Sequence, residues 1–228
     1  MPDFSRLDGA AILFDLDGTL VDTAPDLVGT LNWLLSEEGH APLPVDDVRP
    51  MIGRGARWLI ERGFHAAGAP VPVDEMTPLF ERFIARYIDH IADESLPFPG
   101  CEEALKLLKD HGARLGVCTN KRTDLSLLLL DALNLTPLFE AIVGPDLAGA
   151  QKPDAAHLTY SIDAVGGALP RAVMVGDAAT DAGAARAAGA RLILVPWGYT
   201  ETPVTDLVPD RLIRHFDELE RACADLLG

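Results

Sequence analysis

Five short apolar runs punctuate the chain: Ala10–Phe14, Arg114–Cys118, Ala141–Val143, Ala172–Val175 and Leu192–Val195. Each is bounded by Gly, Pro, Asp or Asn, and none alternates apolar with polar residues. Continuous short runs of this kind predict strands buried on both faces. Helical spacing fills the intervals. Cys101–His111 carries Ala104, Leu105, Leu107 and Leu108 on helix spacing and stops at Gly112. Asp124–Leu133, Asp154–Val165 and Ala178–Ala188 follow, the last built almost wholly of small residues that permit close approach to a sheet. A loop rich in Pro and Thr, Trp197–Pro209, precedes a final helix over Phe216–Leu227. Strands alternating with helices predict an α/β fold, a doubly wound, Rossmann-like parallel sheet of five strands with helices on both faces.

One interval breaks the alternation. Between Asp22 and Ser95 no strand is evident, and the pattern predicts helices over Ala24–Glu38, Arg54–Ala67 and Asp74–Asp93. The third carries Met76, Leu79, Phe80, Phe83, Ile84, Tyr87, Ile88 and Ile91 on one stripe, which reads as core. A helical block set between the first strand and the rest predicts an inserted cap, residues 22–96, on an α/β core made of residues 1–21 and 97–228. The hinges fall near Val21–Ala24 and Leu96–Gly100, where Pro97, Pro99 and Gly100 mark a linker.

Composition narrows the partners. Nineteen basic against thirty-five acidic residues give a net charge of −16, which repels nucleic acid and anionic lipid. Any phosphate bound here needs local cations. There is no run of eighteen apolar residues, and the first nine residues lack a basic n-region, so neither a membrane span nor a secretory signal is expected. Cys101, Cys118 and Cys223 are scattered, with no C-x-x-C pair, as in a reduced cytoplasmic protein. Cys118 reads as core filler. His65, His90, His111, His157 and His215 read as surface or helix residues, and His40 as part of a turn.

Ligands of open parallel sheets sit beyond the carboxyl ends of the strands. The first strand is followed there by Asp15-Leu16-Asp17-Gly18-Thr19 and the second by Thr119-Asn120-Lys121. The third leads to Gly144 and Asp146, with Lys152-Pro153 beyond, and the fourth to Gly176-Asp177 and Asp181. Asp15 and Asp17, two apart, share a face of a continuing strand, and Gly18 permits a sharp turn. Asp177 and Asp181, four apart, share one side of a helix start. Carboxylates so crowded raise one another's pKa or require a counter-cation. Mg²⁺, a hard ion that bridges phosphate oxygens, suits that set.

These segments resemble the four motifs of the haloacid dehalogenase superfamily: Asp15–Asp22, Thr119-Asn120, Lys152-Pro153, and Gly176-Asp177 with Asp181. The helical insert is similar to that family's small cap. Ile52–Ala56 and Trp197-Gly198-Tyr199 most resemble phosphoglycolate phosphatases. The resemblance implies a Mg²⁺-dependent phosphatase acting on a small phosphorylated metabolite, with Asp15 as nucleophile through an aspartyl-phosphate and Asp17 as general acid and base. It implies a metal set of the Asp15 carboxylate, the Asp17 backbone carbonyl, the Asp177 carboxylate and Asp181, the last acting through water or by orienting its neighbours. Thr119, Asn120 and Lys152 are expected to bind substrate, the first and last also serving catalysis. Arg54, flanked by Gly53 and Gly55, is the candidate substrate-reading group of the cap, with Arg57 beside it. A sugar phosphomutase, a pyrophosphatase and a regulatory module that only binds a phosphorylated ligand are the alternatives. A monomer or homodimer is expected.

Overall fold

The computed structural model describes residues 3–228 of the chain. Its centre is a parallel sheet whose strands are β1 (Ala11–Phe14), β4 (Arg114–Cys118), β5 (Ala141–Val143), β6 (Ala172–Gly176), β7 (Arg191–Leu194) and β8 (Arg211–Leu212). The spatial order is β5-β4-β1-β6-β7-β8, so β1 sits between β4 and β6, with β4 and β5 added on one side of it and β6, β7 and β8 on the other. All five expected strands are present. The sixth, β8, escapes the hydrophobic pattern because it is two residues long, with Arg211 exposed and Leu212 half-buried.

Burial on both faces explains the unbroken apolar runs. Ile12 and Phe14 point to one side, where helices α5 (Cys101–Asp110), α6 (Thr123–Ala132) and α10 (Leu219–Leu226) supply Leu105, Leu108, Leu129 and Leu219. Ala11 and Leu13 point to the other, against α8 (Ala155–Ala164) and α9 (Ala179–Ala188). Small residues let α9 lie close: a Cβ on Gly183 would press on Pro153 at 2.6 Å. The expected terminal helix begins instead with a 3-10 turn, Phe216–Glu218, before α10. Cys118 is buried in this core. His157, expected at the surface or on a helix, lies on α8 but is fully buried, its Nε2 at 3.2 Å from the Val143 carbonyl.

The helices α1 (Ala24–Glu37), α2 (Val45–Val48), α3 (Ala56–Ala66) and α4 (Met76–Asp89) intervene between β1 and α5. They share an apolar cluster of their own, with Leu31, Leu34, Ile60, Phe83 and Tyr87 at its centre. Ile88, expected on the buried stripe of α4, is 40% exposed. The block joins the sheet domain through two crossings that pair as a short antiparallel ribbon, β2 (Val21–Asp22) with β3 (Leu96–Pro97). Two-residue strands carry no periodicity, so the pattern reads them as linkers. A buried carboxylate braces the second crossing: Asp26 on α1 accepts hydrogen bonds from Ser95 N at 2.8 Å, Ser95 Oγ at 2.6 Å and Glu94 N at 3.1 Å. No helix among the described residues is long and apolar enough to cross a membrane.

The Asp26→Ala variant leaves these donors without an acceptor. It is expected to destabilise the protein by about 2–3 kcal/mol, read as a lower midpoint in urea unfolding; an unchanged midpoint would show that the brace contributes nothing.

Candidate active site

The carboxyl ends of β1, β4 and β6 meet at one edge of the sheet. β1 ends at Phe14, and the Asp15 N–H still donates to the Val175 carbonyl of β6, which holds Asp15 in register with that strand. Asp15 Oδ1 accepts from Leu16 N at 2.7 Å and pairs with Lys152 Nζ at 2.9 Å. Asp15 Oδ2 has no hydrogen-bond partner among the described residues, and Asp15 lines a cavity. Gly18 turns the chain at φ +84°, a left-handed conformation that glycine adopts without steric cost. A side chain there would press on the Asp177 carboxylate and the Tyr199 ring, both at 2.9 Å from the Cβ position.

Lys152 organises the far side. Its ammonium, wholly buried, pairs with Asp181 Oδ1 at 2.7 Å as well as with Asp15. Burial works against its charge, but the two carboxylates outweigh it and push its pKa up. Asp181 Oδ2 accepts from the backbone N–H groups of Asp177 and Ala178 at 3.1 and 3.0 Å. Both Asp181 oxygens are therefore engaged. Asp177 is held by Thr19 Oγ1 at 2.6 Å and by Tyr199 N at 2.8 Å.

Three carboxylates, Asp15, Asp177 and Asp181, offer oxygens within 4.8 Å of one another. Such crowding in a buried place favours protons. Burial, with Asp181 and Asp17 adding to it and Lys152 opposing, pushes Asp15 up to about 6. Burial, then Asp181 and Asp15, push Asp177 up to about 8. A divalent cation with oxygen ligands would relieve both groups, and the donor set fits a hard ion.

Asp17 faces the other way. Both its oxygens lie on Lys121 Nζ, at 3.0 and 3.3 Å, rather than among the three crowded carboxylates. Thr119 is buried, and its hydroxyl accepts from Lys121 N at 3.2 Å. Asn120 has a fully occupied amide: Nδ2 donates to the Gly53 and Lys152 carbonyls, both at 3.1 Å, and Oδ1 accepts from Lys152 N at 2.8 Å. Its side chain thus braces the lysine loop against the helical block. Arg54 is exposed, stacked 4.5 Å over the Trp58 ring, and reaches none of the carboxylates.

The cavity has a volume of about 210 Å³ and lies between the sheet edge and the helical block. Asp15, Asp17, Thr119 and Lys121 form its floor, while Arg54, Arg57, Phe80 and Tyr87 form its walls. Arg57 stacks 4.4 Å over Phe80. Among the described residues, neither Arg54 nor Arg57 has a carboxylate partner. Two residues of this site were not singled out from sequence. Lys121 stood within a recognised segment but without a role. Tyr87 fell on the apolar stripe of α4, and nothing local distinguishes its hydroxyl from a core tyrosine's.

Comparisons with known proteins agree with this geometry. A family model described as haloacid dehalogenase-like hydrolase matches residues 12–195. The phosphoglycolate phosphatase of Caulobacter vibrioides is 57% identical over 227 residues, covering 100% of this chain and 96% of that protein. The phosphoglycolate phosphatase of Agrobacterium fabrum is 43% identical, covering 94% of this chain and 92% of that one. Among solved structures, a predicted phosphoglycolate phosphatase from Haemophilus somnus superposes with a TM-score of 0.88 at 28% identity, covering 95% of this chain and 98% of that one. CbbY from Rhodobacter sphaeroides, solved in complex with phosphate, superposes with a TM-score of 0.80 at 26% identity, covering 95% and 99%. The expected α/β architecture and the expected family are both borne out: the chain belongs to the haloacid dehalogenase-like hydrolases.

Proposed function

We propose that this hydrolase is a Mg²⁺-dependent phosphatase of a small anionic monoester, 2-phosphoglycolate being the best match. The observation that carries the reading is the cavity. It has an open carboxylate oxygen on Asp15 at its floor and two guanidiniums without carboxylate partners in its wall. At about 210 Å³ it is smaller than the ~300–1,000 Å³ of drug-sized pockets. In a chain of net charge −16, two such cations beside one cavity favour a substrate with a second negative group. The phosphoglycolate phosphatases at 57% and 43% identity support the same choice.

In this reading Asp15 attacks phosphorus through a carboxylate oxygen as the bond to the leaving oxygen breaks. Asp17 gives that oxygen its proton, so glycolate departs as an alcohol. Asp17 then takes a proton from water, whose oxygen attacks phosphorus as the Asp15–phosphorus bond breaks, and inorganic phosphate leaves. Thr119 and Lys152 hold the transferring group, and the Lys152 ammonium offsets its charge. Asp15, the Asp17 carbonyl and Asp177 would hold Mg²⁺, with Asp181 fixing the Asp177 backbone. The bound ion supplies charge neutralisation at the transferring phosphoryl group. Residues 22–96 act as a cap that excludes water and reads the substrate's tail through Arg54 and Arg57. Three buried thiols with no disulfide fit a reducing cytoplasm.

Turnover of phosphoglycolate with Mg²⁺ should fall to background in Asp15→Asn, measured as phosphate release; residual turnover at a substantial fraction of the parent's would remove Asp15 as nucleophile. In Arg54→Ala, KM for phosphoglycolate should rise by about tenfold, with little change for a phosphate ester of neutral tail. Equal changes for both esters would take Arg54 out of substrate reading.

Metal binding should be coupled to protons. With Asp177 pushed up to about 8 when no ion is bound, that group carries a proton at neutral pH. The ion-bound protein holds fewer protons, so Mg²⁺ affinity should rise as pH rises from about 6 to about 8. Calorimetry in buffers of different ionisation enthalpy should register proton release at neutral pH; none, with a flat affinity profile, would contradict the assigned ligands.

A further inference from the structure

Lys121 is a buried ammonium with two partners: the Asp17 carboxylate, whose oxygens lie at 3.0 and 3.3 Å from Nζ, and the Tyr87 hydroxyl, which accepts at 2.8 Å. The three residues are remote in sequence, 104 positions separating Asp17 from Lys121 and 34 separating Tyr87 from it. They also come from three different places: the β1 end, the β4 end and helix α4 of the insert. All are buried, Tyr87 to within 1% of full burial. The Lys121 ammonium also sits 4.6 Å from the Tyr87 ring centroid. Tyr87 itself is fixed by apolar contacts, its ring stacked on Phe83 at a centroid distance of 6.2 Å.

This geometry ties the placement of one carboxylate to the seating of the insert. An ammonium holds a carboxylate in a single orientation only if a second partner anchors it as well. Otherwise the flexible four-carbon stem is free to swing. The anchor here belongs to the helical block and is present only when that block lies against the sheet edge. We propose that Tyr87 is a positioning residue of the phosphatase reaction: through Lys121 it aligns Asp17 with the leaving oxygen when the cap is seated. The proposal rests on the reading of Asp17 as general acid. It gives a physical reason why proton transfer is coupled to cap closure, because an open cap leaves the lysine, and with it Asp17, without a fixed direction.

A leaving-group comparison tests it. An alkyl phosphate leaves poorly unless protonated, whereas nitrophenolate leaves readily without a proton, so only the alkyl ester depends on a well-placed acid. In the full-length protein with Mg²⁺, Tyr87→Phe keeps the ring and its packing and removes only the acceptor. Its kcat should fall about tenfold for phosphoglycolate and glycerol phosphate and less than about twofold for nitrophenyl phosphate. Lys121→Met should show the same split more strongly, and Lys121→Arg should restore part of the alkyl rate. Equal losses on alkyl and aryl esters would mark Tyr87 as merely structural and overturn the proposal, as would an unchanged alkyl rate. Asp17→Asn separates the two levels. If it shows no split, the assignment of the acid is wrong and the proposal goes with it; if it shows the split and Tyr87→Phe does not, only the role of Tyr87 fails. Using two alkyl esters keeps the test independent of which one is the physiological substrate.

Discussion

A single buried ammonium sets the terms for the rest of the site. Lys152 has no contact with solvent and lies between the Asp15 and Asp181 carboxylates at 2.9 and 2.7 Å. Charges in such a place persist only when they are paired and their remaining valences are satisfied. The fold meets that condition with backbone groups: Asp181 takes two amide N–H groups at the turn into α9, and Asn120 brackets the Lys152 backbone with two hydrogen bonds. Four carboxylates nonetheless face two ammoniums at this edge, and burial, with the crowding of the carboxylates adding to it, raises the pKa values of Asp15 and Asp177. Buried carboxylates in excess of the nearby ammoniums suit the site to a divalent cation.

The helical block is tied to this charged floor by polar links, while most of its apolar surface is used within itself. Tyr199 is the most connected of them. Its backbone N–H holds Asp177, and its hydroxyl donates to Asp22 and accepts from Ala24 N at the start of α1. Arg49 pairs with the other oxygen of Asp22 at 3.3 Å. The first crossing is thus joined to the carboxylate end of β6 through one residue, and the second is held by Asp26. Polar hinges of this kind keep the crossings in place, and Tyr87 in the cavity wall is linked to the floor by its hydrogen bond from Lys121.

The parts legible in the sequence share a property. Each of the five longer strands is defined by burial on two faces, and Asp15, Asp17 and Asp177 follow such strands within a few residues, so local pattern and turn chemistry suffice to find them. Lys152 lies beyond the third strand, on the loop before α8. The parts that were not legible depend on partners far along the chain. β8 and the β2–β3 ribbon are too short for periodicity. His157 sits on its expected helix, yet which face of that helix is covered depends on β4 and β5. The partners of the Asn120 side-chain amide, the Gly53 and Lys152 carbonyls, come from segments 67 and 32 positions away.

The unbroken apolar runs, set between stretches of helical spacing, by themselves determined a parallel sheet with carboxylates and a lysine at its carboxyl edge, because strand burial and glycine turns are local properties. Tertiary structure decided how those groups divide. It turned Asp181 inward to Lys152 and the backbone, sent Asp17 away from the other carboxylates to Lys121, and gave Lys121 a second partner on the insert. Those choices follow from where the helical block seats and which oxygens remain in reach of each ammonium, and no local spacing encodes that.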